Sequence, residues 1–531
     1  MSSLTIAVIN TGGTISCTGD PLAPMSAQAF AAASERLLTP ILLQQFPGLT
    51  VCYITDLPFP ESASQTLDST NLQPTDWCLI AGYILSHYAQ YDGWVVLHGT
   101  DSMDFTGTAL PFLLSVVSAQ GYPVAALSKP VVITGSQVPM FYQDPVSKDL
   151  SLNFNTDAFQ NFCGAVAAAQ TGVPEVCVYF NDKLMRGNRV QKTNASEFDA
   201  FSSPNYPLLG EYGITLSIAQ DNVLPPPVSR SISLDDPSVC AAAQAQLTYV
   251  QANINRFPVM QFNAFPAWYQ FNDQAKTCSG LLSTLIDAVV GAGIKGLILE
   301  SYGEGNFPSG NPDNPAGGAT YQALARATAQ GVTIVNCTQV LSGVVNDSAY
   351  AAGAWLPAVG ALSPADMTPM AALAKLMILL TAAGYHGWSA STVATLTQLN
   401  LLGEMLNVSR LDSRTNSALL PGQTLTSLDG SATLINDPEL GPVLRGNTGG
   451  TALWQALAQP DPSTLPGRLI MQNDGNLVFY SRYNAALWAS NTGVASGASS
   501  TLVLSGSAGD GTLGLSVFDY SRGQTTCTLY P

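Results

Sequence analysis

The fold is decided by a run of apolar residues that ends in threonines and glycines, Ile6-Ala7-Val8-Ile9-Asn10-Thr11-Gly12-Gly13-Thr14-Ile15. A second stretch repeats this design, Trp94-Val95-Val96-Leu97-His98-Gly99-Thr100-Asp101-Ser102-Met103. Each is typical of a buried strand followed by a turn of small residues and hydroxyls. In an open parallel sheet, ligands bind beyond the carboxyl ends of the strands. The sequence therefore predicts that three threonines (Thr11, Thr14 and Thr100) and Asp101 lie at a ligand-binding edge.

The first part of the chain alternates strand-like and helix-like stretches. The predicted strands are 4–10, 50–55, 93–98, 130–135 and 175–181, and the helices between them are 26–46, 74–90, 104–119 and 151–170. This alternation is the pattern of a doubly wound α/β unit with a parallel sheet. We assign residues 1–205 to this unit.

A proline-rich segment interrupts the alternation and is predicted to be a linker, residues 206–240. It contains Pro207 and the run Pro225-Pro226-Pro227. A second, smaller α/β unit is predicted over 241–400. Its expected strands are 247–251, 257–263, 295–301 and 332–337, and its helices are 279–292, 318–330, 368–384 and 391–399.

The character of the chain changes near residue 400. After a second predicted linker, 401–415, the segment 416–531 consists of short apolar runs separated by Gly, Asn, Ser and Asp turns. This composition predicts a separate all-β domain.

The charge balance excludes some classes of partner. The 531 residues carry 36 acids against 19 bases, a net charge of −17. We therefore expect no nucleic acid partner. The sequence contains no run of 18 apolar residues, so we expect no membrane span. We expect no metal, since the nine cysteines form no metal-binding spacing and the three histidines are not clustered. We also expect no cofactor. The beginning of the sequence lacks an export signal, and we expect a cytoplasmic protein, with non-classical release left open.

The two threonine turns together resemble the TGGT and HGTD signatures of the bacterial-type L-asparaginase family. Leu67-Asp68-Ser69, followed by Pro74-Thr75-Asp76-Trp77, is similar to the cytosolic type I branch. Further similar segments are Arg189-Val190-Gln191-Lys192-Thr193-Asn194, Ser301-Tyr302-Gly303-Glu304-Gly305-Asn306 and Ala365-Asp366-Met367-Thr368. The resemblance covers residues 4–395 and implies a two-domain enzyme that assembles as a homodimer or homotetramer.

The resemblance also implies a chemistry, the hydrolysis of L-asparagine through an acyl-enzyme. Thr14 matches the nucleophile, and the proton-transfer group is Thr100, Asp101 and Lys192. A threonine hydroxyl is hardly ionised at neutral pH, so it needs such a base or charge nearby. The substrate-binding residues would be Ser69, Thr70, Asp101 and Asn306, with Asp101 at the α-amino group and Asn306 reaching the site of a neighbouring subunit.

One position departs from the family pattern. Family members carry a tyrosine in a mobile loop after the first signature, whereas the alignments of this loop place Leu22 or Met25 there. Neither side chain has a hydroxyl. Our hypothesis is that Tyr350, which matches a tyrosine used by some relatives, supplies the missing hydroxyl as a catalytic residue.

The β domain contains a second motif, Gln472-Asn473-Asp474-Gly475-Asn476-Leu477-Val478-Phe479-Tyr480. Its spacing resembles the mannose-binding site of the bulb-type (monocot) lectin family, which has a prism of three sheets. Alternation along a strand predicts that Gln472, Asp474, Asn476, Val478 and Tyr480 share one face. The resemblance implies one sugar site for mannose-type glycans.

Three functions remain open from the sequence. The first is an active asparaginase joined to a carbohydrate-binding module. The second is a lectin-led binding protein or toxin with a weakly active or inactive asparaginase fold, which the substitution at Leu22 favours. The third is a broader glutaminase or ω-amidase, since a pocket separates one methylene by only about 1–3 kcal/mol.

Overall fold

The computed structural model describes residues 4–227, 229–272, 274, 276–346, 349–406, 408–414, 418–428, 430–447, 452–494 and 499–531. The chain divides into two compact units. Unit 1 consists of Met1–Val117, Pro123–Pro227 and Ser231–Thr397, and unit 2 consists of Ser118–Tyr122, Val228–Arg230 and Gln398–Pro531.

The main sheet of unit 1 has eight strands in its described residues. They are β1 Thr5–Asn10, β2 Thr50–Ile54, β3 Gly93–Leu97, β4 Val131–Thr134, β5 Val176–Phe180, β6 Lys183–Arg186, β7 Gly210–Tyr212 and β8 Leu216–Ile218. Their order is β8-β7-β6-β5-β4-β3-β1-β2. Strands β2, β1, β3, β4 and β5 run parallel, so their carboxyl ends share one edge. This confirms the predicted α/β fold with a parallel sheet.

A smaller parallel sheet lies in the second half of unit 1. Its strands are β9 Val259–Asn263, β10 Gly296–Ser301, β11 Thr333–Thr338 and β12 Ala361–Leu362, in the order β9-β10-β11-β12. Phe262, Leu299 and Ile334 lie in a buried core on this sheet, together with the helix residues Ile286 and Leu324.

Helices follow most of the parallel strands, as the alternating pattern predicts. They are α1 Ala27–Leu37, α2 Thr39–Gln45, α3 Pro74–Ser86, α4 Met103–Leu113, α5 Ala158–Ala169, α6 Pro237–Asn253, α7 Leu281–Gly291, α8 Ala319–Ala329, α9 Pro369–His386 and α10 Ala390–Gln398. Short antiparallel pairs connect them: Cys17–Thr18 with Ala23–Pro24, Val116–Val117 with Pro123–Ala125, Phe141–Gln143 with Leu150–Leu152, Gln191–Lys192 with Phe201–Ser202, and Tyr269–Asn272 with Thr277–Gly280.

The structure differs from the predicted linker over 206–240. This segment supplies β7 and β8, which pair antiparallel at the edge of the main sheet, and it contains the start of α6. The predicted strand 247–251 also lies within α6 and is wrong. The buried residues of this helix recur at helical spacing, Cys240, Ala243, Leu247 and Val250, which outweighs the local strand preference.

Unit 2 forms three four-stranded antiparallel sheets in its described residues. The strands are β13 Arg410–Asp412, β14 Ala418–Leu419, β15 Thr424–Thr426, β16 Ala432–Asp437, β17 Gly441–Gly446, β18 Ala452–Gln455, β19 Arg468–Met471, β20 Leu477–Tyr480, β21 Ala486–Ala489, β22 Ser500–Ser505, β23 Gly514–Asp519 and β24 Gln524–Tyr530. The sheets have the orders β13-β22-β23-β24, β14-β19-β20-β21 and β15-β16-β17-β18. An all-β region after the α/β unit therefore exists, and β13 lies inside the predicted linker 401–415.

A leucine-rich core fills the described part of unit 2. Leu434, Leu469 and Leu502 come one from each sheet and are completely buried. Trp454 in β18 and Trp488 in β21 meet edge to face, with ring centroids 5.5 Å apart. These tryptophans stand in the two similar Leu-Trp segments of the sequence, Leu453-Trp454 and Leu487-Trp488, which form the last strands of their sheets.

In the described part of the chain, no helix combines the length and the apolar character needed to cross a membrane.

Two helix glycines provide a test of how closely α5 packs on the main sheet. A methyl group at Gly164 in α5 would overlap the ring of Tyr179 in β5, whereas one at Gly291 in α7 would meet open space. We expect Gly164→Ala to lower the free energy of unfolding by about 1–3 kcal/mol through overpacking. Gly291→Ala should leave it unchanged or raise it by up to about 1 kcal/mol, because alanine favours helix. Urea unfolding of both variants measures the difference, and equal stabilities would contradict this packing.

Candidate active site

The first threonine turn is fixed between two other segments. Both the backbone N–H and the hydroxyl of Thr11 donate to the carbonyl of Leu97, at 3.0 and 2.9 Å. The N–H of Gly13 donates to the carbonyl of Leu67 at 2.9 Å. These bonds tie the end of β1 to the end of β3 and to residue 67. The turn then delivers Thr14 at the start of a short 3-10 helix, Thr14–Ser16.

Glycine is required where this turn meets the second one. Gly13 has a φ of 76°, and a side chain there would overlap the backbone of Gly99. A side chain at Gly99 would in turn overlap the hydroxyl of Ser69. Both threonine turns and Ser69 therefore meet at one point on the carboxyl edge of the main sheet.

Ser69 and Thr70 follow Asp68 in a turn that borders a pocket. Ser69 is buried, and its carbonyl accepts the hydroxyl of Ser102 at 2.6 Å. Thr70 is exposed, and its N–H and hydroxyl both donate to Asp68 at 3.0 Å. The pocket has a volume of about 610 Å³ and is lined by Pro24, Glu61, Ser62, Ala63, Thr66, Leu67, Asp68, Asn71 and Gln73. The residues on either side of Ser69 and Thr70, Asp68 and Asn71, are part of this lining.

The second turn holds a lysine from a distant part of the chain. The ammonium Nζ of Lys192 lies 3.0 Å from the hydroxyl Oγ1 of Thr100 and 2.7 Å from Oδ1 of Asp101. Thr100 is buried, while the side chains of Lys192 and Asp101 are 20% and 56% exposed. The structure thus brings together Thr100, Asp101 and Lys192, three residues that the sequence analysis singled out.

Gln137, which was not predicted from the sequence, also contacts Thr100. Oε1 of Gln137 accepts the hydroxyl of Thr100 at 3.4 Å, and Nε2 of Gln137 donates to the carbonyl of Glu197 at 3.1 Å. Gln137 follows β4, which neighbours β3, so it emerges at the same edge as Thr100. The position of a polar residue after a third parallel strand was the signal that could have identified it.

His98 precedes the second turn and is structural. Its Nδ1 lies 2.7 Å from the carbonyl of Gly99, and its Nε2 lies 2.8 Å from the hydroxyl of Thr106. Burial lowers the pKa of this imidazole to about 4, so the ring is neutral near pH 7. With both nitrogens occupied, it fixes the turn to α4.

Tyr350 and Asn306 lie in two loops that contact each other. The backbones of their loops bond to each other, from Asn346 to Glu304 at 2.9 Å. The side chain of Tyr350 is 56% exposed. Within the described residues, no hydrogen bond joins Tyr350 or Asn306 to Thr14. Leu22 is also exposed and lies in the turn of the hairpin Cys17–Thr18 with Ala23–Pro24.

The second motif forms a hairpin in unit 2. The expectation that all five of its residues share one strand is wrong, because a turn over 472–476 separates β19 from β20, with Gly475 at a φ of 85°. The turn closes through the N–H of Gln472, which donates to the carbonyl of Asn476 at 2.9 Å.

The hairpin still orders four polar side chains of the motif. Nε2 of Gln472 donates to the hydroxyl of Tyr480 at 2.8 Å, and Asp474 accepts the N–H of Asn476 at 2.9 Å. Oδ1 of Asn476 accepts the hydroxyl of Ser490 at 3.2 Å. Val478 is only 3% exposed and packs within the sheet, so it offers little surface to a ligand.

Comparisons with known proteins give matches over both α/β sheets. The family profile "Asparaginase, N-terminal" matches residues 5–224, and "Glutaminase/Asparaginase C-terminal domain" matches residues 273–387. L-asparaginase 1 of Escherichia coli (strain K12) is 32% identical over 412 residues, which are 76% of this chain and 99% of that protein. The 60 kDa lysophospholipase of Mus musculus is 34% identical over 64% of this chain and 49% of its own length.

A solved structure gives the same result. L-asparaginase I from Vibrio cholerae O1 biovar eltor str. N16961 superposes with a TM-score of 0.53 at 28% identity, covering 76% of this chain and all of that one. Two parallel sheets, the paired threonine turns and a full-length relative at this identity lead to one conclusion: the chain belongs to the L-asparaginase family of amidohydrolases.

Proposed function

We propose that the protein hydrolyses L-asparagine to L-aspartate and ammonia through an acyl-enzyme on Thr14. The observation that carries this proposal is the cluster of Lys192, Thr100 and Asp101 beside the turn that delivers Thr14. The relative from Escherichia coli, which aligns over 99% of its length, is named an L-asparaginase and supports the choice of substrate.

The first half of the reaction forms the acyl-enzyme. Oγ1 of Thr14 attacks the side-chain carbonyl of asparagine and loses its proton, and the C–N bond breaks as ammonia takes up a proton. Lys192 exchanges protons with Thr100, which it contacts at 3.0 Å. Backbone N–H groups near the glycine-rich turn stabilise the negative charge on the carbonyl oxygen. In the second half, water attacks the ester, and aspartate leaves as the hydroxyl of Thr14 re-forms.

The substrate is held by the polar groups around the meeting point of the turns. Ser69 and Thr70 bind the α-carboxylate, and Asp101 binds the α-ammonium by a charge-assisted hydrogen bond. The exposure of Asp101 leaves its second oxygen accessible to this ligand. The loops that carry Asn306 and Tyr350 are hydrogen-bonded to each other. Asn306 reaches the substrate site of a neighbouring subunit in a homodimer or homotetramer.

We propose that unit 2 binds a mannose-type sugar at the hairpin of Gln472, Asp474, Asn476 and Tyr480. The hydrogen bond between Gln472 and Tyr480 orders two of these side chains before any ligand arrives. Oδ2 of Asp474 and Nδ2 of Asn476 carry no hydrogen bond within the described residues, so they can accept from and donate to adjacent sugar hydroxyls. The three four-stranded sheets suit the prism of the bulb-type lectins.

The enzyme proposal predicts which residues ammonia release requires. We expect Thr14→Ala and Lys192→Met each to lower kcat for asparagine by at least about 100-fold, because one removes the nucleophile and the other the proton-transfer group. A coupled assay of ammonia release measures this, with glutamine as the comparison substrate.

Two controls match these variants. Thr18→Ala alters the hairpin that follows the same turn. Lys183→Met removes a lysine that also contacts an aspartate at 2.7 Å, Asp199, which lies outside the two threonine turns. Both should retain turnover. Release by Thr14→Ala at the rate of the unmodified protein would contradict the proposal and favour a lectin-led protein.

The hypothesis about Tyr350 predicts a loss of turnover without a loss of fold. Tyr350→Phe removes one exposed hydroxyl, so the melting temperature should not change. If that hydroxyl activates Thr14, kcat should fall by about 100-fold or more. Full turnover in this variant would show that the nucleophile is activated in another way.

The sugar proposal is tested by two matched aspartates of unit 2. Asp474 and Asp461 each accept the N–H of the residue two positions on, at 2.9 Å, but only Asp474 belongs to the motif. Loss of a hydrogen bond between a sugar hydroxyl and the carboxylate of Asp474 should weaken sugar binding by about 10-fold or more. We expect Asp474→Ala to abolish retention on immobilised mannose and Asp461→Ala to leave it intact. The assignment would be contradicted if both variants were retained on mannose. It would also be contradicted if the unmodified protein were not retained.

A further inference from the structure

The backbone of Lys192 needs a partner outside its own strand pair. Gln191–Lys192 pairs antiparallel with Phe201–Ser202, and the next N–H in this ladder, that of Thr193, donates to the carbonyl of Ala200 at 2.8 Å. Successive N–H groups of a strand point to opposite sides, so the N–H of Lys192 points away from the ladder. A donor left unpaired here would cost free energy.

Asp104 supplies that partner. Its Oδ2 accepts the N–H of Lys192 at 3.2 Å, while its Oδ1 accepts the N–H of Phe105 at 3.0 Å. The residue lies in the first turn of α4 and is 6% exposed. Burial raises the pKa of this carboxyl, and the N–H donors of Lys192 and Phe105 oppose the shift. Through these two hydrogen bonds, the carboxyl group of Asp104 bridges the start of α4 and the strand Gln191–Lys192.

One short segment, Thr100–Asp104, consequently holds Lys192 at both ends. Thr100 and Asp101 contact its ammonium group, and Asp104 contacts its backbone. We propose that Asp104 is a positioning residue of the reaction, which fixes the origin of the Lys192 side chain so that Nζ reaches Thr100 and Asp101 together. This inference rests on the proposed function and extends it to a residue outside the expected catalytic group.

The need for such a residue follows from the chemistry of lysine. Four methylene groups separate its backbone from its ammonium, so the side chain alone defines the position of Nζ poorly. A misplacement of about 1 Å in a catalytic group can lower a rate about 100-fold. Holding both ends of the residue removes this freedom.

The experiment compares Asp104→Ala with a matched variant, Asp76→Ala. Asp76 is also a buried carboxylate in the first turn of a helix and also accepts a backbone N–H, that of Gln73 at 2.7 Å. Burial raises the pKa of both carboxyls. Both variants are studied well below their melting temperatures, in the full-length chain, by ammonia release and by residue-resolved hydrogen exchange.

For Asp104→Ala we expect kcat to fall by about 10- to 100-fold while KM changes by less than about threefold, because the substrate contacts remain. Exchange of the Lys192 amide hydrogen should accelerate by about 10-fold or more, since its carboxyl acceptor is gone. Asp76→Ala should lose stability with kcat nearly unchanged. If Asp104→Ala does not fold, Asp104→Asn, which keeps the volume and one of the two acceptors, should show smaller changes in the same direction.

Two results would overturn the inference. One is an unchanged exchange rate at Lys192 in Asp104→Ala, which would show that Asp104 does not hold this backbone. The other is a fall in kcat that Asp76→Ala reproduces at equal stability, which would indicate a structural role alone. If the unmodified protein releases no ammonia, the proposed function fails, and the exchange measurement still decides whether Asp104 positions Lys192.

Discussion

The approach of two backbones at Gly13 and Gly99 is the constraint on which the site depends. Strands β1 and β3 are parallel neighbours, so the turns that follow them leave the sheet side by side. Because neither glycine has a Cβ, the turns come close enough for one to carry Thr14 and the other Thr100 and Asp101. Ser69 fits beside Gly99 for the same reason. Larger residues at these two positions would separate the groups that the proposed reaction needs together.

Much of unit 1 could be predicted from its sequence, because its signals are local and repeated. The buried parallel strands at the centre of the main sheet are apolar runs, and the threonine turns follow two of these strands directly. The predicted strand 247–251 failed because Thr248, Tyr249 and Val250 favour strands by type. The buried residues of this segment have helical spacing, Cys240, Ala243, Leu247 and Val250. The edge strands Gly210–Tyr212 and Leu216–Ile218 were not predicted, because each has only three residues and the surrounding segment is rich in proline.

The residues of the candidate site also differ in how far the sequence could predict them. Thr14, Thr100, Asp101 and Lys192 could be found because they occur in recognisable motifs, although Lys192 lies far along the chain. Gln137 carried only the weak signal of a polar residue after a parallel strand, and Asp104 carried none, since an aspartate at a helix start is common in any protein. Their contacts depend on which elements neighbour each other in the folded chain. In unit 2, the turn at Gly475 broke the expected alternation, yet it left Gln472 within reach of Tyr480.

The bond between Thr100 and Gln137 has a consequence for proton transfer. An amide oxygen accepts a hydrogen bond but does not take up a proton near neutral pH, whereas the amine of a lysine does. With Lys192 protonated, its ammonium donates to Thr100, so the hydroxyl hydrogen of Thr100 points to Gln137. Once Lys192 gives up its proton, that hydrogen can rotate toward the free amine. The direction of the Thr100 hydroxyl hydrogen therefore depends on the charge of Lys192. When Lys192 is protonated, this hydrogen points to Gln137.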